Sequence, residues 1–140
     1  MKSINIYIET SNTAFQKKER SCGYVLEYIK GKTPITREGF RTGKGTYNQE
    51  ILKTLTEALK RVHEPCKICI YSGNQFVLYA VRDKMKIWAR DGFKSVKNQE
   101  EWKALWEVIQ EHEVNVEVGK HTYSDWILRE MKEKNEKQSD

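Results

Sequence analysis

The sequence predicts an α/β fold built on a five-stranded mixed sheet, in which three antiparallel strands are followed by two parallel ones and helices flank the sheet. Two observations lead to this prediction. The chain opens with three consecutive strand-like segments joined by short connections, which is typical of an antiparallel meander. It then alternates helical and strand-like segments, which favours parallel pairing.

The three strands of the meander are predicted from residue type and alternation. Residues 4–11 begin with alternating β-branched and polar or aromatic side chains, residues 23–29 are rich in strand-forming types, and residues 35–42 follow a Gly/Pro turn. Glu9 stands where the apolar run of the first strand stops. We therefore expect its carboxylate at the rim of the core.

The first long helix is predicted by a capping box, with the Thr46 hydroxyl at the cap and Gln49 three residues later. Apolar residues then recur at three- and four-residue spacing, which indicates one buried stripe. The stripe consists of Ile51, Leu52, Leu55, Ala58, Leu59 and Val62. A short strand at residues 66–71 and an apolar helix at residues 75–81 follow.

Three further elements complete the predicted fold. Asn98 and Glu101 give a second capping signature, the alternation of residues 114–118 predicts the last strand, and Thr122 or Ser124 caps a final helix. The apolar positions of the two helices are Trp102, Leu105, Trp106 and Ile109, and then Ile127, Leu128 and Met131. Residues 132–140 contain no apolar side chain and predict a charged, flexible tail after a domain at residues 1–131.

Composition restricts the class of protein. A chain of 140 residues with 38% hydrophobic content fits one domain, and no apolar run approaches the ~20 residues of a membrane span. An odd number of cysteines, three, and the lack of an apolar leader predict a cytoplasmic protein with reduced thiols. The net charge of +5 predicts attraction to polyanions, with nucleic acid first and an acidic membrane surface second. We expect nucleic acid rather than a membrane as the partner, and a monomeric state.

A basic segment with embedded aromatic residues occupies residues 82–97. Its cations are Arg82, Lys84, Lys86, Arg90, Lys94 and Lys97. Lys and Arg contact phosphates while rings can pack against sugars or bases, so the segment predicts nucleic-acid binding. An alternative interpretation explains the same pattern: the charged residues form a solvent-exposed face and Trp88 packs into the core.

Cys66 and Cys69 have the spacing of a metal or redox pair, and His63 is near in sequence. An odd separation on a strand sends the two thiols to opposite faces. Ordinary buried cysteines are therefore the favoured interpretation over a zinc site.

The order of elements resembles type 1 ribonuclease H over almost the whole chain. Local matches add to the resemblance: Glu50 opens the first long helix, residues 88–94 (WARDGFK) look like the basic protrusion of that family, and residues 102–106 (WKALW) resemble its next helix. Lys120 and His121 lie where the family carries a Lys-Gly-His loop. The resemblance implies cleavage of the RNA strand of RNA/DNA hybrids.

The resemblance also implies a metal site. The family uses two divalent ions, Mg²⁺ or Mn²⁺, held by four carboxylates. Glu9, Glu50 and Asp125 match three of these positions and are the predicted catalytic and metal-binding residues, with His121 as a fourth catalytic residue. Gly73 stands at the remaining carboxylate position, so the site is predicted to be depleted and metal binding to be weak or absent.

The residues predicted to contact nucleic acid lie in the basic segment and at the start of the first long helix. The predicted contacts are Lys84, Lys86, Trp88, Arg90, Lys94 and Asn48. Three functions remain open at this point. They are an RNA/DNA-hybrid-binding protein with weak or absent cleavage, an active hybrid endoribonuclease in which Ser72 or Asn74 supplies a neutral oxygen ligand, and a protein-interaction domain that has kept only the fold.

Each predicted carboxylate also has a plainer interpretation. Glu9 fits a solvated group at a strand end, Glu50 fits a carboxylate that favours the positive end of a helix dipole, and Asp125 fits a capping-box partner of Thr122. If the three form one site, their side chains converge on one cleft.

Overall fold

The computed structural model describes residues 1–138 and shows a five-stranded sheet covered on both faces by helices. The strands are β1 (Lys2–Thr10), β2 (Arg20–Lys30), β3 (Thr33–Gly43), β4 (Cys66–Ser72) and β5 (Glu113–Val118). The helices are α1 (Tyr47–Leu59), α2 (Gln75–Asp83), α3 (Met85–Ala89), α4 (Gln99–Ile109) and α5 (Ser124–Gln138). All five predicted strands are present, and α3 is a short additional helix within the basic segment.

The sheet has the strand order β3-β2-β1-β4-β5, with β1 at its centre. β1 pairs antiparallel with β2, where Ile6 faces Leu26, and parallel with β4, where Ile6 faces Ile70. β2 and β3 are antiparallel, and β4 and β5 are parallel. The predicted mixed sheet, three antiparallel strands and then two parallel ones, is confirmed.

Alternation along β1 divides the core into two layers. Ile6 and Ile8 lie in the larger layer, which α1, α2 and α4 cover with residues such as Leu55 and Trp102. Tyr7 points to the opposite face, where Ile127 and Met131 of α5 cover the sheet. One strand therefore supplies both layers, because successive side chains of a strand point to opposite faces.

The predicted helix starts are confirmed at one position and corrected at another. Thr46 and Gln49 form both hydrogen bonds of the capping box at the start of α1. Asn98 does precede α4, but it has φ 64° and makes no capping hydrogen bond. Glu101 instead accepts a hydrogen bond from Gln49 at 3.3 Å, which ties α4 to α1. The second capping signature is therefore wrong in its mechanism, because a capping residue takes an extended backbone and Asn98 is left-handed.

The end of α5 changes the interpretation of the charged C-terminal segment. The helix continues through Gln138, so residues 132–138 of the predicted tail are helical, while residues 139–140 lie outside the described residues. The domain boundary at residue 131 stays a prediction. Among residues 1–138 no helix is both long enough and apolar enough to cross a membrane.

Candidate functional site

The carboxylate of Glu9 lies near the end of β1 and is held by the residues that lead into α5. Its Oε2 accepts a hydrogen bond from the buried Ser124 hydroxyl at 2.5 Å and lies 3.1 Å from His121 Nε2. The same His121 nitrogen lies 3.0 Å from the carbonyl oxygen of Ile8. The other ring nitrogen accepts from the backbone N–H of Tyr123 at 3.2 Å. These contacts assign the ring hydrogen to Nε2 and fix the imidazole at both nitrogens.

Glu50 is the most enclosed of the predicted site residues, with no part of its side chain exposed. Oε1 lies 2.5 Å from Arg41 Nη1, and Oε2 lies 3.6 Å from Lys53 Nζ and accepts from the Gly45 amide at 3.2 Å. A Cβ at Gly43 would clash with Oε1. The end of β3 and the connection to α1 thus form a close-fitting cradle in which a guanidinium neutralises the carboxylate.

Asp125 lies outside this arrangement. Its side chain is 79% exposed and pairs with Lys120 at 3.2 Å. The residue before it, Ser124, is buried and faces Glu9 instead. Because adjacent residues of a helix point about 100° apart, the sheet-facing position belongs to the serine and the carboxylate points to solvent.

The position without a carboxylate, Gly73, borders the open groove described below and lies near the hydroxyl of Tyr47. The Tyr47 hydroxyl lies 4.0 Å from where a Cβ at Gly73 would stand. Burial, and next the negative charge of Glu9, raise the pKa of Tyr47 to about 12. At neutral pH this space is therefore lined by a neutral phenol.

The neutral oxygens proposed as substitute ligands are already engaged. Asn74 Oδ1 caps α2 by accepting from the Val77 amide at 2.8 Å, and the Ser72 hydroxyl accepts from the Asn74 amide at 3.0 Å. The Asn74 side-chain amide donates to Asn48 Oδ1 at 2.9 Å. Asn48 therefore positions the start of α2 from the first turn of α1.

The donor set does not fit the divalent ions that the family resemblance implies. Within residues 1–138, no group of three or more His, Cys, Asp and Glu side chains is placed to hold a metal ion. Each of the three predicted carboxylates has a different partner: Glu9 contacts Ser124 and His121, Glu50 contacts Arg41 and Lys53, and Asp125 contacts Lys120. Among the described residues the three are not placed as one group of metal ligands, and their catalytic role stays a prediction.

The predicted nucleic-acid-binding residues form an exposed basic face around α3. Its exposed cations are Lys84, Lys86, Arg90 and Lys94. Trp88 is half-buried and packs edge-on against Trp102 at 5.3 Å between ring centroids, so it anchors α3 to α4 while keeping one side accessible. This packing agrees with the interpretation of Trp88 as a core anchor, and its contact with nucleic acid stays a prediction.

An open groove of about 710 Å³ lies beside this face. We name it the aromatic groove, and the residues that define it are Phe15, Tyr47, Asn74, Phe76, Tyr79 and Trp88. The sequence analysis did not identify Phe15, Phe76 or Tyr79. A usable signal was present, because a surface helix that is apolar almost all round, as at residues 75–81, needs a partner for its outer side.

Arg41 and Ser124 were also missed. Arg41 lies on β3 and Glu50 on α1, and no local pattern joins them. Ser124 was considered only as a helix cap. Both act through contacts across the fold, which periodicity does not reveal.

Comparison with known proteins identifies the family. The sequence model of the RNase H family matches residues 1–136. This chain belongs to the RNase H family. The fold derived above, with β1 at the centre of a mixed sheet, agrees with this membership.

Among individual relatives, the chain is similar to ribonuclease HI of Haemophilus influenzae, with 34% identity over 98 residues. That match covers 66% of this chain and 62% of the relative. Ribonuclease HI of Helicobacter pylori is 38% identical over 91 residues, covering 64% of this chain and 61% of the relative. The matched region therefore spans less than two thirds of the length of these two RNase H relatives.

Solved structures show the same RNase H fold at low sequence identity. LC9-RNase H1, described as a type 1 RNase H with the type 2 active-site motif, aligns with a TM-score of 0.77 and 14% identity, covering 92% of this chain and 70% of that one. The PFV RNase H domain aligns with a TM-score of 0.62 and 13% identity, covering 87% and 80%. These likenesses support the fold.

Proposed function

We propose that this protein binds RNA/DNA hybrid through the basic face around α3 and that its metal-dependent cleavage of the RNA strand is weak or absent. Membership of the RNase H family supports the substrate class. The observation that carries the second half is the state of Glu50, which is fully buried and paired with Arg41 at 2.5 Å.

The Arg41–Glu50 pair opposes metal binding for an electrostatic reason. A divalent ion at Glu50 would have to displace the guanidinium, and the displaced charge would lose its buried partner. Removing one partner of a buried ion pair is strongly unfavourable, because it leaves an uncompensated charge in a region of low dielectric constant. Glu9, Asp125 and Gly73 provide no carboxylate cluster to offset that cost.

The basic face supports hybrid binding because its cations are free to meet phosphates. No salt bridge or hydrogen bond of the described residues engages the ammonium or guanidinium groups of Lys84, Lys86, Arg90 and Lys94. Each phosphate contact releases condensed counterions, so affinity falls as salt rises. The predictions of a monomeric state and a cytoplasmic location belong to the same proposal and rest on composition alone.

The cleavage half is tested with an end-labelled RNA/DNA hybrid, incubated with Mg²⁺ and separately with Mn²⁺. We expect no cleavage by the native protein above that of the Glu50→Gln variant. Circular dichroism of both proteins establishes that they are folded. Metal-dependent cleavage of most of the hybrid by the native protein, lost in Glu50→Gln, would overturn this half and establish an active nuclease.

The binding half is tested by fluorescence anisotropy of a labelled hybrid over a series of salt concentrations. Replacing Lys84, Lys86 and Arg90 by Ala should weaken binding and reduce the slope of log K against log salt by about 2 to 3. The matched control replaces Lys30, Lys32 and Arg37, which are exposed cations at and after the turn between β2 and β3. This variant should change the slope of log K against log salt by less than about 1. Equal slopes for the two variants would place the nucleic acid elsewhere.

A further inference from the structure

A cleft of about 570 Å³ lies between β3 and α5, on the face of the sheet that α5 covers. We name it the β3–α5 cleft, and the residues that define it are Glu38, Phe40, Trp126, Glu130 and Lys134. The sheet separates this cleft from the basic face, because α3 and α4 pack against the opposite core layer. The surface proposed above for nucleic acid therefore does not include it.

Two aromatic rings form the floor of the β3–α5 cleft. The ring centroids of Phe40 and Trp126 lie 6.3 Å apart, and the ring planes are tilted by 47°. Both rings are half-buried and pack against the core layer that contains Ile127 and Met131. Gly23 lies opposite Phe40 in β2, and a Cβ there would stand 2.8 Å from the Phe40 ring. The floor is therefore held in place by close packing beneath it.

One cationic side chain of the protein itself lies on this floor. The Lys134 ammonium is 4.9 Å from the centroid of Phe40, which is within the range of cation–π attraction. Trp126, Glu130 and Lys134 are spaced four residues apart along α5, so they lie on one side of the helix. Lys134 is exposed and makes no ion pair among residues 1–138, so it is free to leave the ring. The rings thus accept a cation, and a partner can supply one in place of Lys134.

Two carboxylates at the cleft are available to a cationic ligand. Among residues 1–138 the side chains of Glu38 and Glu130 make no ion pair or hydrogen bond. The charge of Arg41, which also lines the cleft, is balanced by the buried Glu50. Lys134 is then the one cation of the lining that stands against two free carboxylates. In a protein with a net charge of +5, this local excess of negative charge favours a cationic occupant over nucleic acid.

β3 is an edge strand of the sheet, and its outer side is open to another strand. Its pairing with β2 keeps one register from Thr33 to Gly43, so no bulge turns the edge away from a partner. The carbonyl oxygens of Thr36 and Glu38 accept from the exposed side chains of Arg37 and Arg61, each at 3.0 Å. These carbonyls are therefore accessible to donors from outside β2. An extended peptide is the ligand that offers backbone donors with the spacing of a strand.

The charges of β3 specify the residues of such a peptide. Glu38 points to the α5 side, because its partner in β2 is Val25 of that core layer. Arg37 points to the α1 side, as does its partner Leu26. Residues directly opposite in a sheet share a face, so an added strand meets Glu38 with one residue and Arg37 with the next. Opposite charges at two successive positions of the peptide therefore match β3.

We propose that the β3–α5 cleft binds an extended segment of a partner protein, in which an arginine or lysine lies over Phe40 and Trp126 and an adjacent acidic residue faces Arg37. A second copy of this chain does not fit. Antiparallel pairing of two β3 strands about a two-fold axis places residues of the same face opposite one another. Arg37 then never lies opposite Glu38. This inference is independent of the proposed hybrid binding.

The probe is a short labelled peptide, Thr-Val-Thr-Glu-Arg-Thr-Val-Thr, titrated with the full chain and followed by fluorescence anisotropy. Replacing its Arg by Gln should weaken binding at least about fivefold, because cation–π attraction and charge pairing are both lost. Glu38→Gln combined with Glu130→Gln should weaken binding of the Arg peptide by a similar factor and leave binding of the Gln peptide unchanged. The matched control is Glu107→Gln combined with Glu111→Gln, the same charge change at exposed positions around the end of α4. It should change the affinity by no more than about twofold.

Lys134→Ala tests the proposal in the opposite direction. Lys134 competes with the incoming cation for the Phe40 ring, so its removal should tighten binding of the Arg peptide by about twofold or more. Lys132→Ala removes the same charge from a position that lines a different cleft, and it should have a smaller effect. Circular dichroism of each variant establishes that it is folded.

Nitrogen–proton correlation NMR locates the bound peptide. We expect the indole N–H of Trp126 and the amides of β3 to shift, and the amides of α3 to stay unchanged. No binding of the Arg peptide up to about millimolar concentration, equal affinity for the Arg and Gln peptides, or shifts confined to another surface would overturn the proposal. A dimer in solution that the peptide dissociates would assign the β3 edge to a second copy and would overturn it as well.

Discussion

Arg41 determines the electrostatic state of Glu50. The carboxylate has no exposed surface, and its two oxygens face a guanidinium, an ammonium and a backbone amide. Gly43 and Gly45 permit this placement because a side chain at either position would meet the carboxylate. At the scale of single residues, Arg41 supplies the positive charge that balances Glu50.

Replacement of Arg41 by Ala tests this arrangement. The Arg41→Ala variant should lose about 3 kcal/mol of unfolding free energy, because a buried carboxylate is left with Lys53 as its nearest cation. Urea unfolding followed by circular dichroism measures the loss.

Glu57→Gln is the matched control for Arg41→Ala. Glu57 also contacts Arg41, at 3.5 Å, but its side chain is 48% exposed. Its loss should change stability by no more than about 0.5 kcal/mol. Equal losses of unfolding free energy in Arg41→Ala and Glu57→Gln would contradict the dominant role of the buried Arg41–Glu50 pair.

The junction between β1 and α5 is set by side chains at the start of the helix. The Ser124 hydroxyl donates to Glu9 and accepts from the backbone N–H of His121 at 2.9 Å. His121 reaches back to the carbonyl oxygen of Ile8. These bonds fix the orientation of α5 relative to the sheet, so that Ile127 and Met131 pack against it.

Two adjacent substitutions separate the role of this junction from that of Asp125. Ser124→Ala removes a hydrogen bond to a charged acceptor and should destabilise the protein by about 2 kcal/mol. Asp125→Asn alters an exposed carboxylate in the first turn of α5 and should cost about 0.5 kcal/mol. Thermal unfolding of both variants gives the comparison, and a larger loss in Asp125→Asn would contradict the placement.

Over the whole molecule, tyrosines with raised pKa values link stability to alkaline pH. A hydrogen bond to Glu27 is the main cause that raises the pKa of Tyr123 to about 12, and burial is the main cause for Tyr47, also about 12. Burial also raises the pKa of Tyr7, whose hydroxyl donates to Glu27. These tyrosines join the sheet to helices on both of its faces, so their ionisation acts on the fold as a whole.

Stability should therefore fall as pH rises above 10, the ordinary pKa of tyrosine. The unfolded chain releases phenolic protons near pH 10 while the folded chain keeps them until about 12. The stabilisation that these tyrosines give the folded state is fully present below pH 10 and is lost as pH rises to the folded-state pKa. The slope is about 1.4 kcal/mol per pH unit for each such tyrosine.

Urea unfolding at a series of alkaline pH values measures this slope. Tyr123→Phe removes one ionisable group and should make the slope shallower, whatever its effect on stability at neutral pH. An unchanged slope in that variant would contradict the assignment of the pH dependence to the Tyr123–Glu27 contact.

Local patterns in the sequence were sufficient for most of the fold. The alternation of residues 4–11, the capping box at Thr46 and the helical stripe after it depend on neighbours within a few residues, so they can be read along the chain. The mixed sheet of three antiparallel and then two parallel strands was predicted from the succession of elements together with the family resemblance, whereas the strand order was not predicted. The second capping signature failed because Asn98 adopts a left-handed backbone, which residue type alone does not specify.

The sequence by itself determined the family, the mixed sheet and the elements that carry Glu9, Glu50 and Asp125. Only the tertiary structure decided the final positions and the partners of their carboxylates. Arg41 reaches Glu50 from another element, Ser124 rather than Asp125 faces the sheet, and rings from three elements form the aromatic groove. The physical reason is that a charged side chain takes the partner that three-dimensional packing brings to it, and that partner is separated from it along the chain.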